Sequence, residues 1–209
     1  MVCVMFLEVV HINGRYDPAA EQHRPPSGVS DILPDVQQAA EATIALGGDV
    51  LYRMNLNGNL FAVGQNPGRL AVAVAADPFL SGLSEAAREK AIVLPDGIGP
   101  ATTAHETSDP IGIKYARTRE EWLFENLQAK IAAEDEQARR HGLGFVLGVF
   151  TTGCVMVAAT EIKRRNPGAR ICVDDFLSVD VPGRQIAPGT TGDVALRSVA
   201  DYLSSSKTQ

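Results

Sequence analysis

The fold of this chain is decided at Gly148-Val149-Phe150-Thr151-Thr152-Gly153-Cys154-Val155, where an apolar segment ends in a small-residue turn that carries a cysteine. Residues 145–150 are apolar and partly β-branched, which is typical of a fully buried strand. Residues 155–165 carry apolar side chains at helical spacing and basic side chains in the last turn. The pattern therefore predicts a strand, a tight turn and a helix, with Cys154 at the N-terminus of the helix.

A cysteine at a helix N-terminus is favoured as the thiolate. The first amides of a helix have no partners inside the helix, and the helix dipole places partial positive charge beside them. Such an environment lowers the pKa of a thiol, and the same amides can bind the oxyanion of an acyl intermediate. A free cysteine is also often a small buried core residue. From its position alone, Cys154 is therefore either a nucleophile or part of the core.

The stretch around Cys154, followed by Asp174 and Asp175 after the next predicted strand, resembles the nucleophile region of the isochorismatase-like cysteine hydrolases. This superfamily includes nicotinamidases and N-carbamoylsarcosine amidase. Its pattern is Gly-Val-Ala-Thr-x-x-Cys-Val, and Phe150 stands here in place of the alanine. The resemblance implies an α/β fold with three α-β-α layers and a mostly parallel, Rossmann-like central sheet. It also implies a triad of Asp, Lys and Cys, and a cis peptide bond at Val149–Phe150.

We assign the carboxylate of the implied triad to Glu8. Residues 2–10 are predicted to form a central strand, in which a charged side chain is costly to bury unless it is paired. In the family the triad Asp ends the first strand in a pattern of apolar-apolar-Asp-x-Gln, and Glu8 fits this place best, although Val10 stands where Gln is usual. Asp17, in a predicted loop, is the alternative acid. An ordinary strand-end carboxylate is the other interpretation of Glu8.

We assign the lysine of the implied triad to Lys114, on a short strand predicted at residues 111–115. In the family the catalytic lysine sits on such a strand, with an aromatic residue about eight positions later and a helix that leads into the nucleophile strand. Lys114, Trp122 and a predicted helix at 118–140 reproduce that order. A lysine beside the thiol would lower the pKa of the thiol. The alternative is a strand-end lysine with its ammonium in solvent.

The substrate pocket is predicted to include His11, Trp122 and Thr151. A structural role is also open for His11, which lies near the end of the first strand, and for Trp122, at the start of a helix. The predicted strand at 49–54 leads into Asn55, whereas in metal-dependent nicotinamidases it leads into Asp-x-His. Because the four histidines are also scattered singly, we predict no metal and no cofactor.

The rest of the chain is predicted to complete a single domain of residues 1–209. A helix that begins at Ser30 or Asp31 and ends at Gly47, followed by the strand at 49–54, makes a β-α-β unit with parallel pairing. Further strands are predicted at 144–150 and 169–174. The other predicted elements are a strand or helix at 70–76, a helix at 81–90, a late loop at 182–189 and a closing helix at 193–203. A long loop predicted at 95–110 is suited to a substrate lid or a subunit contact. The helix predicted at 118–140 has Leu123, Leu127, Ile131 and Ala132 on one face, and its charged face is expected to be solvated.

The composition narrows the class of protein. Hydrophobic residues make up 45% of the chain and charged residues 21%, with a net charge of −6 and no basic cluster, so a nucleic-acid partner is not expected. No apolar stretch is long enough for a membrane span. The start lacks a secretion signal and the three cysteines are irregularly spaced, which predicts a cytoplasmic location. Family members usually assemble as dimers or larger, so the resemblance implies a homo-oligomer.

Together these features predict a cysteine-dependent hydrolase of a small amide, ureido or carbamoyl C–N bond that acts through a thioester. In this hypothesis Glu8 accepts the thiol proton and Cys154 attacks a carbonyl carbon. Lys114 orients the pair, and the amides of Phe150 and Cys154 form the oxyanion hole. Two alternatives stay open, namely vinyl-ether hydrolysis of the isochorismatase type and a non-catalytic member of the fold that binds a ligand.

Overall fold

The computed structural model describes residues 4–97, 110–180 and 194–206, and it describes the side chains of the second range from residue 119 onward. Within these residues the strands, numbered in chain order, are β1 (Phe6–Val10), β2 (Arg15–Asp17), β3 (Gln22–Arg24), β4 (Asp49–Asn55), β5 (Ile92–Asp96), β6 (Leu143–Val149), β7 (Arg170–Val179) and β8 (Ala195–Leu196). The helices are α1 (Val29–Ala45), α2 (Leu60–Gly64), α3 (Pro67–Ala75), α4 (Pro78–Ser81), α5 (Glu85–Lys90), α6 (Pro110–His141), α7 (Met156–Arg165) and α8 (Val199–Ser206).

Six of these strands form the central sheet, in the order β5-β4-β1-β6-β7-β8. Every pairing in that sheet is parallel, while β2 and β3 form a separate antiparallel hairpin. The carboxyl ends of β5, β4, β1 and β6 therefore lie next to one another at one edge of the sheet. In open parallel sheets that edge is where ligands bind.

Two apolar clusters fill the two faces of the sheet. Along β1, Leu7 and Val9 belong to the cluster that α1 and α8 cover, whereas Phe6 and Val10 belong to the cluster that α7 covers. This alternation is the period-two pattern of a strand that is buried on both faces. The architecture is thus a three-layer α/β fold with a mostly parallel central sheet, and the predicted fold class is confirmed.

Most of the predicted elements agree with the structure. The strands predicted at 2–10, 49–54, 144–150 and 169–174 correspond to β1, β4, β6 and β7, and the first predicted helix is α1. The ambiguous segment 70–76 belongs to α3, which begins with Pro67 after an Asn66 side chain that accepts from the backbone N–H of Arg69. Residues 98–109, most of the loop predicted at 95–110, and the late loop at 182–189 lie outside the described residues.

The strand predicted at 111–115 is wrong, because these residues belong to the long helix α6. One edge strand of the sheet is β5, in a segment between the helix predicted at 81–90 and the loop predicted at 95–110, where no strand was predicted. Short apolar runs such as 92–94 and 111–113 look alike in sequence, since periodicity alone cannot separate a strand from a helix over so few residues. Pro95 is compatible with β5 because β5 pairs on one side only.

Two smaller predictions also need correction. Residues 15–17 and 22–24 form the β2–β3 hairpin, where a continuous loop was predicted. The closing helix α8 begins at Val199, later than the predicted 193, because the short strand β8 precedes it. None of the helices in the part of the chain that the structure describes combines the length and the hydropathy that crossing a membrane requires.

Helix α6 presents its polar side to the sheet, which reverses the predicted orientation. Of the predicted apolar face, Leu127 is 43% exposed and Ala132 is exposed, and the neighbouring Phe124 is 63% exposed. Glu134 is buried instead, and Lys130 is mostly buried. The charged side of α6 is therefore not a solvated face, and its partners on the sheet decide the electrostatics of the site.

Candidate active site

Cys154 lies in the turn that follows β6. The peptide bond Val149–Phe150 is cis, as the resemblance implied. Residues Thr151–Val155 then form a π-helical turn, in which the Val155 amide donates to the carbonyl of Phe150 at 3.1 Å, and α7 begins at Met156. The predicted order of strand, turn and helix is confirmed, but Cys154 stands in the turn that leads into α7 rather than in the first turn of α7 itself.

A close approach of β1 to β6 places the turn beside the end of β1. Gly148 has a φ of 127°, and a Cβ atom at this position would lie 2.1 Å from the carbonyl oxygen of Val10. Only glycine fits there, since any side chain would push the two strands apart. The residue after Val10 is His11, which is thereby brought to the same end of the sheet as Cys154.

His11 is the side chain that meets the thiol. It is buried directly after β1, with a φ of 53° and its backbone amide donating to the carbonyl of Arg53 at 3.0 Å. A hydrogen bond with the imidazole of His11 lowers the pKa of the Cys154 thiol, against the opposing effect of burial. The backbone of Phe150 lowers the pKa of the thiol further. Both contacts favour the thiolate.

The other partner of His11 is Asp96, the last residue of β5. Nε2 of His11 lies 3.3 Å from Oδ2 of Asp96, and it must be the donor because an ionised carboxylate only accepts. Burial alone would lower the pKa of His11, but its hydrogen bonds with Asp96 and Cys154 outweigh burial and raise the pKa. Among the described residues, Nδ1 of His11 has no hydrogen-bond partner of normal geometry, which makes it the ring nitrogen that is available to the thiol.

Asp96 is held as an anion. Burial would raise the pKa of its carboxyl group, but the hydrogen bond from His11 and the charges of Lys130, His11 and Arg53 together hold the pKa well below its usual range. Lys130 Nζ lies 3.1 Å from each carboxylate oxygen, and the backbone N–H of Gly97 donates to Oδ1 at 2.9 Å. The arrangement is a cysteine, a histidine and a carboxylate in sequence, which is the general form of an activated nucleophile.

Behind Asp96 lies a group of buried charges, which we call the ion network. Its members are Glu8, Arg53, Asp96, Lys130, Glu134 and Arg165. Arg53 Nε donates to Glu8 Oε1, and Arg53 Nη2 donates to Glu134 Oε1 at 2.8 Å. Arg165 donates to the other oxygen of Glu134. Burial and repulsion from Glu8 raise the pKa of Glu134 to about 7, although Arg53 and Arg165 act in the opposite direction.

The predicted triad residues fall in different places. Glu8 is fully buried and is paired with Arg53, while its second oxygen has no hydrogen-bond partner among the described residues. Lys114 lies in α6, and its side chain is outside the described residues, so its catalytic role stays a prediction. The alternative acid, Asp17, accepts from Arg24 at 2.8 Å within the β2–β3 hairpin.

The residues predicted for the substrate pocket also lie in different surroundings. His11 contacts the thiol, and Thr151 is buried in the turn that carries Cys154. Trp122 packs edge-on against Phe61 of α2, with ring centroids 5.8 Å apart. The contact observed for Trp122 is therefore with helix α2.

Asp174 and Cys172 of β7 have structural roles. Asp174 accepts from the backbone N–H groups of Phe176, Leu177 and Val199. Cys172 is buried in the core, where burial raises the pKa of its thiol. Of the two cysteines that the structure describes, Cys154, whose pKa is lowered, is thus the one suited to react.

Sequence reasoning missed Asp96 and Lys130 and underrated His11. The available signal was positional, because parallel strands bring the residues that follow them to one edge of the sheet. His11 follows β1 directly, three residues later than Glu8. Asp96 was hidden because the strand it ends was not predicted, and Lys130 was assigned to a solvated face. Among the residues that the structure describes, no group of three or more His, Cys, Asp and Glu side chains is arranged to hold a metal ion.

Comparisons with known proteins give distant likenesses among solved structures only. No protein-family model and no curated protein sequence matches this chain. Among solved structures, the chain is similar to a protein from Burkholderia xenovorans LB400 that carries the provisional name isochorismatase. The TM-score is 0.45 and the sequence identity 14%, over 100% of this chain and 89% of that chain. A likeness at this level does not assign an activity.

Proposed function

We propose that this protein is a cysteine hydrolase that cleaves a C–N bond in a small amide, ureido or carbamoyl compound through a thioester at Cys154. The observation that carries the proposal is the order of contacts from Cys154 to His11 to Asp96. It supplies a nucleophile with a lowered pKa, a base beside it and an anion that holds the base. The resemblance around Cys154 supports the same class of reaction.

In the first half of the reaction, His11 accepts the proton of the Cys154 thiol and the sulfur attacks the carbonyl carbon of the substrate. The carbonyl π electrons move to oxygen, where the backbone N–H of Phe150 is the first proposed donor to the oxyanion. The amide of Cys154 is the second proposed donor. The imidazolium then gives its proton to the leaving nitrogen, the C–N bond breaks and a thioester remains.

In the second half, His11 removes a proton from water and the resulting hydroxide attacks the thioester carbonyl. The C–S bond breaks, and the thiolate regains its proton from the imidazolium. Asp96 accepts from His11 Nε2 throughout, which fixes the ring and stabilises its charged form. The contacts favour His11 over Glu8 as the base, because the carboxylate of Glu8 is engaged by Arg53.

The proposal is tested by the release of ammonia or amine from a panel of primary amides, ureas and carbamates. The native protein is expected to turn over members of one of these classes. Cys154→Ala should abolish turnover, and His11→Gln should reduce kcat by about a hundredfold or more, the usual contribution of a positioned base. Full turnover in Cys154→Ala on a substrate of the native protein would contradict the mechanism. The homo-oligomeric state and the cytoplasmic location stay predictions of the sequence.

A further inference from the structure

We propose that Lys130 is a positioning residue of this site, whose ammonium group holds the Asp96 carboxylate in the orientation that receives His11 Nε2. The inference rests on the proposed function, in which His11 activates Cys154. It adds a residue that does not itself touch substrate and acts through Asp96.

The contacts of Asp96 identify Lys130 as the group that sets its orientation. Lys130 Nζ lies 3.1 Å from both oxygens, whereas the hydrogen bond with His11 is 3.3 Å and Arg53 Nη1 is 3.9 Å from Oδ2. A carboxylate on a strand end can rotate about its terminal bond. A cation in contact with both oxygens, together with the Gly97 amide on Oδ1, removes that freedom and leaves Oδ2 directed to the imidazole.

The position of Lys130 is itself fixed by the helix that carries it. Asn126, Lys130 and Glu134 are spaced four residues apart and so share one face of α6. Asn126 Nδ2 donates to the carbonyl of Pro95 at 3.0 Å, and Glu134 accepts from Arg53 at 2.8 Å. Lys130 thus lies between two contacts that attach α6 to the ends of β5 and β4.

The burial of the pair indicates that the contact is more than a surface ion pair. The Lys130 side chain is 14% exposed and that of Asp96 is 12% exposed. A lysine in such a place loses most of its hydration and the freedom of a long side chain, so it requires a good partner. Ion pairs in solvent, by contrast, impose little geometry.

Loss of the Lys130 charge is expected to raise the pKa of Cys154 by two additive routes. Asp96 would be free to turn away, which weakens its hold on His11 and so weakens the contact between His11 and the thiol. The site would also lose one positive charge from a set that comprises His11, Arg53, Lys130 and Arg165, while Asp96, Glu8 and Glu134 remain. Less positive charge disfavours the thiolate.

The test is the pH dependence of Cys154 alkylation by iodoacetamide, followed by mass spectrometry of the cysteine-containing peptide. We expect the midpoint in Lys130→Met to lie about one pH unit above that of the native protein, with a rate about tenfold lower at pH values below both midpoints. Lys130→Arg should restore most of the shift, because it keeps the charge. Lys90→Met, the same substitution on the exposed face of α5, should match the native protein.

An unchanged midpoint in Lys130→Met would overturn the positioning role, even if the variant melted at a lower temperature, because a purely structural residue changes stability without moving the midpoint. If Lys130→Met does not fold, Lys130→Gln is judged by the same criterion. Asp96→Asn and His11→Gln separate the two proposals. A shift in both of them but not in Lys130→Met overturns only the role of Lys130, whereas no shift in any of the three overturns the proposed function as well.

Discussion

Helices α1 and α6 cover opposite faces of the same sheet by different means. The buried face of α1 is made of small and branched apolar residues, among them Val36, Ala39 and Ala40. The buried face of α6 carries Lys130 and Glu134 beside Ala138, and its large apolar residues Phe124 and Leu127 are exposed. The surface that a helix packs against therefore decides which of its residues are buried. Strands β4 and β5 carry Arg53 and Asp96 at positions where other strands carry valine and leucine.

The two faces should respond differently to mutation and to pH. Apolar burial contributes through the area removed from water and is indifferent to pH. A buried ion pair contributes little net stability, but removal of one partner leaves the other charged and unpaired, which is strongly destabilising. Four predictions follow from this contrast, in order of expected size.

The largest effect is expected for Arg53→Met, which leaves Glu8 and Glu134 without their shared cation. We expect the free energy of unfolding at pH 7 to fall by about 3–5 kcal/mol, the usual result of breaking a buried ion pair. Urea denaturation measures it. The matched control is Arg164→Met, which removes an arginine from an exposed pair with Glu161 and should cost at most about 1 kcal/mol. Equal losses in the two variants would show that the ion network behaves like surface charge.

The second prediction concerns the pH dependence that Glu134 confers. Its pKa is raised from 4.5 to about 7 in the folded protein, so the folded state holds a proton that the unfolded state has released, and stability falls as the pH rises through this window. Glutamine mimics the protonated form. We expect Glu134→Gln to equal the native protein near pH 4 and to exceed it by up to about 3 kcal/mol near pH 8.

Urea denaturation at several pH values, compared with Glu136→Gln on the exposed side of α6, checks this prediction. The difference between the native protein and Glu134→Gln should grow with pH, whereas Glu136→Gln should follow the native protein. A difference that stays constant from pH 4 to pH 8 would refute the proton held by Glu134.

The third prediction tests whether the ion network influences the pKa of Cys154. Because His11 links Asp96 to the thiol, His11→Gln should raise the pKa of Cys154, and the alkylation midpoint should rise by about one pH unit, equivalent to about 1.4 kcal/mol. His141→Gln is the control, since His141 pairs with Asp49 at the opposite end of β4. Equal alkylation midpoints in the two variants would show that the ion network does not influence the pKa of Cys154.

The smallest effect is expected on the outer face of α6. Phe124→Ser should change the free energy of unfolding by no more than about 0.5 kcal/mol, because the side chain is already 63% exposed. Val36→Ser on α1, where the side chain is fully buried, should cost several times as much. Similar losses in thermal or urea unfolding would mean that both helices depend on apolar burial after all.

The contrast also explains what the sequence could predict. The hydrophobic pattern placed α1 correctly, because apolar residues such as Val36, Ala39 and Ala40 lie at helical spacing. The same reasoning failed for α6, because hydrophobic periodicity carries no information about whether a buried partner is an arginine on another strand. The order of strand, turn and helix around Cys154 followed from local pattern and resemblance.

The site itself was only partly predictable. Cys154 could be found from its local sequence, but its partners come from segments that are far apart in the chain. Glu8 drew the triad assignment because it is the charged residue in an apolar strand, yet the structure explains it by Arg53, which the sequence gave no reason to place nearby. Asp96 depended on recognising β5, a five-residue strand that contains a proline.

The sheet order has a consequence for how the protein acquires reactivity during folding. His11, Arg53, Asp96 and Cys154 follow or belong to β1, β4, β5 and β6, which are adjacent in space and widely separated in sequence. Parallel pairings of this kind close long loops and form slowly. The lowered pKa of Cys154 depends on His11, so in refolding experiments rapid labelling of this thiol at neutral pH should appear only once β1 has paired with β6.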